Sequence, residues 1–118
     1  MKENRKAAER MVAVPIYRPE KEYYEKTLLE HDKKGSRAIR ALARAGIKRY
    51  CEDSKERFGE LPISVPTYAP TELEYKIFTN FRRDSSEYKF LERMSEISGM
   101  PFCQIVRFFV IYEWRYPK

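Results

Sequence analysis

The chain has 118 residues, 42% hydrophobic and 36% charged, so one compact domain or two small packed units can bury a core under a heavily charged surface. Lys and Arg total 24 against 18 Asp and Glu; the formal charge of +6 points to an anionic partner, nucleic acid ahead of a membrane surface. No apolar run approaches the roughly 20 residues of a membrane span, no apolar stretch follows the charged N-terminus as a secretory signal requires, and Cys51, Cys103 and the single His31 build neither a zinc cluster nor a His-based catalytic centre.

Residues 1–10 form a basic N-terminal arm. In the run Met11 to Arg18, Val12, Val14 and Ile16 alternate with Ala13, Pro15 and Tyr17, which is strand periodicity. Pro15 cannot donate to a ladder, so it is expected to face outward or lie on an edge. Pro19 opens a helix, where a missing N–H costs nothing. Tyr24, Thr27, Leu28 and His31 then recur on one helical stripe. Lys33, Lys34 and Gly35 read as the end of that helix, and Ser36 as the N-cap of the next. The second helix places Ile39, Leu42, Ala43, Gly46, Ile47 and Tyr50 at helical spacing, with Arg37, Arg40 and Arg44 on another side that reads as solvated. Residues 53–75 hold Gly59, Pro62, Pro66 and Pro70 and read as a semi-extended linker, long enough to carry the chain back across a small domain.

The same order of signals returns after the linker. In Lys76 to Arg82, Ile77, Thr79 and Phe81 share one face and Phe78, Asn80 and Arg82 the other. Asp84 to Glu87 reads as a capping box. Phe90, Leu91, Met94 and Ile97 form the stripe of the next helix, which ends at Gly99. Pro101 opens a last helix, apolar almost all round from Ile105 to Ile111 and therefore expected to be buried on several sides. Gly35 and Gly99 mark equivalent points 64 positions apart (99 − 35), so the chain is an internal repeat of pattern: a first unit over 11–52 and a second over 76–118.

A strand, a helix, a glycine turn and a longer apolar helix within about 45 residues resembles the ribbon-helix-helix family in both copies, most closely from Phe78 to Trp114, where Leu91 to Gly99 reads like a family first helix and its turn. The resemblance implies a mostly α fold with a short antiparallel β-ribbon, two ribbon-helix-helix units in one chain, and double-stranded DNA as partner. It also implies transcription regulation, with the ribbon in the major groove, which admits two strands. By resemblance the base-facing residues are Phe78, Asn80 and Arg82 in the second copy and Ala13, Pro15 and Tyr17 in the first. Asn80 suits an adenine edge, Arg82 a guanine edge and Phe78 a thymine methyl. Ala13 and Pro15 have no side-chain hydrogen-bonding capacity, which leaves base reading by the first copy open. Phosphate contact falls by resemblance to Arg18, to Gly35, Ser36 and Arg37 at the start of one second helix, and to Met100 and Phe102 beside Pro101 at the start of the other.

Gln104 is the only Gln, and Asn4 and Asn80 the only Asn, a depletion of thermolabile amides seen in thermophiles. With two such units in one chain, the whole sequence resembles the tandem ribbon-helix-helix regulators of filamentous viruses of hyperthermophilic archaea (the AvtR type), and the amide depletion agrees. A cytoplasmic, non-enzymatic protein is expected, with no cofactor, metal, membrane or small-molecule substrate. Further self-association is expected through the apolar last helix. Two other readings compete. One is a DNA-coating architectural protein that oligomerises along the duplex, favoured by the poor readout chemistry of Ala13 and Pro15. The other is an antitoxin-like interaction module that docks Leu61 to Pro70 as an extended strand.

Overall fold

The structure is a computed structural model and describes residues 8–31, 35–56 and 62–117. Residues 1–7 of the arm, Lys33, Lys34, Gly59 and Leu61, and the side chains of Leu28 and His31, lie outside the described residues. The fold is mostly helical with one two-stranded antiparallel sheet. In chain order come β1 (Glu9–Tyr17), α1 (Arg18–His31), α2 (Gly35–Glu56), a single 3₁₀ turn (Pro70–Glu72), β2 (Leu73–Arg82), α3 (Ser86–Ser98), α4 (Phe102–Val110) and the short α5 (Tyr112–Arg115).

Alternation of side chains decides how the two strands sit. Val12, Val14 and Ile16 of β1 and Thr79 and Phe81 of β2 point into the core, as period-2 patterning requires. The strands pair over their whole length, with Met11 opposite Asn80, Ala13 opposite Phe78 and Pro15 opposite Lys76. The two copies therefore pair within one chain. Ala13 and Phe78 face each other at the middle of the ribbon. The pairing slips between Ile16 and Tyr17, where Tyr17 meets Leu73 and Glu74 is left as the extra residue of a bulge.

The helices interlock beneath the ribbon. β2 packs on α2 and β1 packs on α4, so each strand lies on the second helix of the other half. α2 and α4 cross at Gly46, where a Cβ would stand 1.8 Å from the carbonyl oxygen of Phe109. Only hydrogen fits there, and the two backbones come closer than side chains would permit. Around the crossing, the Tyr50 ring stands edge-on to Phe108, Phe109 and Tyr112 at 5.3–5.9 Å between centroids, a favourable geometry for aromatic pairs. Ile39, Ala43, Leu91, Ile105, Val106 and Ile111 fill the rest of the core.

Several local expectations need correction. Gly35 does not end α1 in a left-handed cap; it is the first residue of α2 and lies against the Ile77 side chain. Ser36 is inside α2 and its hydroxyl donates to Thr79 Oγ1 at 2.9 Å, tying the helix to β2. The cap of α3 is Ser85, whose Oγ accepts from the Tyr88 amide at 3.1 Å. Asp84 and Glu87 are thereby released to bind arginines. α2 continues to Glu56 and β2 begins at Leu73, which shortens the linker at both ends. Gly99 does cap α3, with φ of 75°.

Candidate nucleic-acid interface

The outer face of the ribbon carries Glu9, Met11, Ala13 and Pro15 from β1 and Lys76, Phe78, Asn80 and Arg82 from β2, in directly opposed pairs. Its centre is apolar and open. Met11 is 64% and Phe78 59% exposed, flanking Ala13. Hydrogen-bonding capacity collects at one end, where Asn80 and Arg82 are exposed beside Met11 and Glu9. Arg82 forms two hydrogen bonds with Asp84, from Nε at 3.2 Å and Nη2 at 3.1 Å, and both side chains remain about 70% exposed. Those hydrogen bonds hold the Asp84 carboxyl below its ordinary pKa. A pair so open to water is weak, so the Arg82 fork can exchange Asp84 for another planar acceptor.

The other end of the ribbon is closed. Pro15 is buried, not outward in solvent. Tyr17, next to the bulge, is half-buried; its ring lies 5.3 Å from the Tyr68 ring and 4.8 Å from the Arg107 guanidinium carbon. Neither side chain is presented as a reader of bases. For Tyr17 the strand slip and the return of the linker through Tyr68 are the physical reasons. Arg18 is exposed yet engaged: its Nε donates to Glu74 Oε1 at 3.0 Å, and Glu72 stands 3.8 Å away. The hydrogen bond to Glu74, then the charge of Glu72, raise the Arg18 pKa.

The starts of α2 and α4 differ. Gly35 and Ser36 are half-buried at the edge of β2, and Arg37 is exposed. At α4 the Met100 amide donates to Ser98 Oγ at 3.2 Å and the Met100 carbonyl accepts from Ser95 Oγ at 2.6 Å. Phe102 is a core residue under Arg10, whose guanidinium carbon lies 4.1 Å from the ring centroid. The Met100 amide is thus engaged within the chain, and the Phe102 side chain belongs to the core.

Arg40 and Arg44 join the site from the face of α2 that reads as solvated in sequence. Arg40 Nη1 donates to Ser36 Oγ and Thr79 Oγ1 at 3.4 Å and to the Asn80 carbonyl at 3.3 Å. Arg44 grips Glu87 with Nε at 2.6 Å and Nη2 at 3.2 Å. Together with Glu9, Asn80, Arg82, Ser85 and Glu87 they line a cleft of about 370 Å³ at the open end of the ribbon. The i, i+4 spacing of Arg40, Arg44 and Lys48 was the legible signal; their position beside β2 follows only from the tertiary packing.

Cys51 and Cys103 are free and half-buried. Among the described residues no helix is long and apolar enough to cross a membrane, and no three His, Cys, Asp or Glu side chains converge as metal ligands. Comparison with family models, curated proteins and solved structures finds no match to this chain. The functional reading therefore rests on geometry and on the residues themselves.

Proposed function

We propose that this chain is a tandem ribbon-helix-helix protein that binds double-stranded DNA and regulates transcription, of the kind found in archaeal filamentous viruses. The observation that carries the reading is the intramolecular ribbon centred on Ala13 and Phe78, with each strand packed on the second helix of the other half. A two-stranded ribbon matches the width of the major groove. Asn80 and Arg82 stand exposed at its open end, with side chains suited to base edges, and the exposed Phe78 and Met11 suit thymine methyls. Base reading is then one-sided, since Pro15 and Tyr17 are withdrawn.

Two apolar features behind the competing readings are engaged within the chain. The apolar surface of α4 is spent inside the chain, with Phe108, Phe109, Val110, Ile111 and Tyr112 at most 2% exposed. The extended stretch after Leu61 is bound to its own chain: Ile63 and Val65 pack on the core, and the Ser64 and Pro66 carbonyls accept from Arg115 and Arg107. The test is selection of a preferred duplex from a random pool, followed by Asn80→Ala and Arg82→Ala. Each substitution is expected to cost about 1–3 kcal/mol at one base pair and to relax preference there. A selected site bound equally well by both variants would show that this face does not read it.

A further inference from the structure

Three guanidinium groups from three different places in the chain meet at the open end of the ribbon. Arg82 comes from β2, and Arg40 and Arg44 from successive turns of α2. Arg40 is aimed by Ser36, Thr79 and the Asn80 carbonyl. Arg44 is held in a two-pronged grip on the Glu87 carboxylate, and that hydrogen bonding raises the Arg44 pKa. A carboxylate in the fork of an arginine presents the same planar pair of oxygens that a phosphate presents. Beyond the cleft, Arg37 and Lys48 stay exposed along α2 and extend the positive ridge.

Among the described residues no such convergence of arginines is seen at the other end of the ribbon, where Lys76 is exposed opposite Pro15. Arg18 there is bound by Glu74 and Glu72. Arg107, the cation of α4, is buried against Glu20, with Nη2 to Oε2 at 2.8 Å. Counted by the same 64-position offset, the positions that match Arg37, Arg40, Arg44 and Lys48 are Pro101, Gln104, Phe108 and Tyr112, none of them charged.

We infer that Arg40 and Arg44, in the cleft beside the base-facing Arg82, form a DNA-phosphate slot on one side of the ribbon, with Glu87 as a built-in counter-anion that the phosphate displaces. The inference rests on the DNA-binding reading and deepens it by assigning where the backbone is gripped and what sets the strength of the grip. Glu87 occupies Arg44 in the free protein, keeps the slot from binding stray anions, and gives way where a duplex supplies a better-placed phosphate. DNA binding is therefore self-limited, and removal of the Glu87 charge tightens it through Arg44.

The experiment is a double-substitution cycle with the full chain, read by fluorescence anisotropy on a labelled random duplex across a salt series. Glu87→Gln is expected to tighten binding on the order of three- to tenfold at low salt and to steepen the salt slope by about one, the value for one added phosphate contact. Arg44→Ala is expected to weaken binding and to abolish the gain from Glu87→Gln. Glu96→Gln, which removes the same charge from α3 away from the cleft, is the reference, and thermal melts establish that each variant is folded. A gain no larger than that of Glu96→Gln, or one that persists with Arg44→Ala, would overturn the slot while leaving DNA binding standing. Absence of duplex binding by every variant would overturn both readings.

Discussion

At the scale of single residues, the most constrained polar group is Arg107. It is 2% exposed and its partner Glu20 is fully buried, joined from Nε at 3.1 Å and Nη2 at 2.8 Å. Gln104 and the Pro66 carbonyl accept two more of its N–H groups, so four of the five guanidinium N–H groups are hydrogen-bonded and the burial of the pair is offset. Glu20→Gln leaves a buried cation without its countercharge and should cost about 3–5 kcal/mol in urea unfolding, whereas Glu20→Leu with Arg107→Met should recover much of that loss. In sequence Arg107 reads only as a break in an apolar run; its partner lies 87 positions away, and no local signal links them.

Tyr24 presents the opposite case. Its ring is core, yet its hydroxyl makes no hydrogen bond among the described residues. Burial, then the neighbouring Glu20 charge, push its pKa well above 10.0. A phenol whose pKa folding has raised adds stability that is complete below its ordinary value and is lost as pH climbs past it. Stability is thus expected to decline above about pH 10. Tyr24→Phe should stabilise the protein by about 1 kcal/mol at pH 7 and make the alkaline decline shallower, as read by denaturant melts at the two pH values.

At the scale of elements, the strands were the most legible part. The alternation of Ile77, Thr79 and Phe81 with Phe78, Asn80 and Arg82 is the observed division into inner and outer faces. The same alternation held for Val12, Val14 and Ile16, yet Pro15 and Tyr17 are covered rather than open. A bulge and a returning linker cannot be read from period 2. Caps were legible as segments but not as atoms: Ser85 takes the role read for Asp84, and Ser36 turns from cap to cross-link. The helix crossing was hidden in a single residue. Gly46 fits the apolar stripe of α2 in sequence, and only the approach of the Phe109 backbone reveals why it lacks a side chain. Gly46→Ala must push two helices apart and should cost about 3 kcal/mol or more, seen as a lowered Tm with far-ultraviolet dichroism largely retained.

At the scale of the whole molecule, the order of strand and two helices on each side of the linker was legible, and so was the capacity of the linker to bring the second strand back to the first. Whether the copies pair within a chain was not, because a strand carries the same pattern in either arrangement. The interlock of β1 on α4 and β2 on α2 means that neither half encloses a core alone. Residues 1–58 and 59–118, produced separately, are expected to be unfolded or self-paired, and to regain the native dichroism when mixed. Independent folding of either half as a monomer would contradict the interlock. The proposed grip on DNA was the least legible feature. Arg40 and Arg44 read as a solvated face, and their convergence with Arg82 depends on where β2 rests on α2.

The central claim is that the open end of the ribbon binds duplex DNA. It is tested most directly by anisotropy of a labelled duplex across a salt series, with the wild-type chain beside an Asn80→Ala, Arg82→Ala double variant. The account predicts wild-type affinity that falls log-linearly with salt, and a double variant weaker by tenfold or more on a selected site, about 1.4 kcal/mol per tenfold. No wild-type binding at low salt, or a double variant that binds the selected site as tightly, would contradict it.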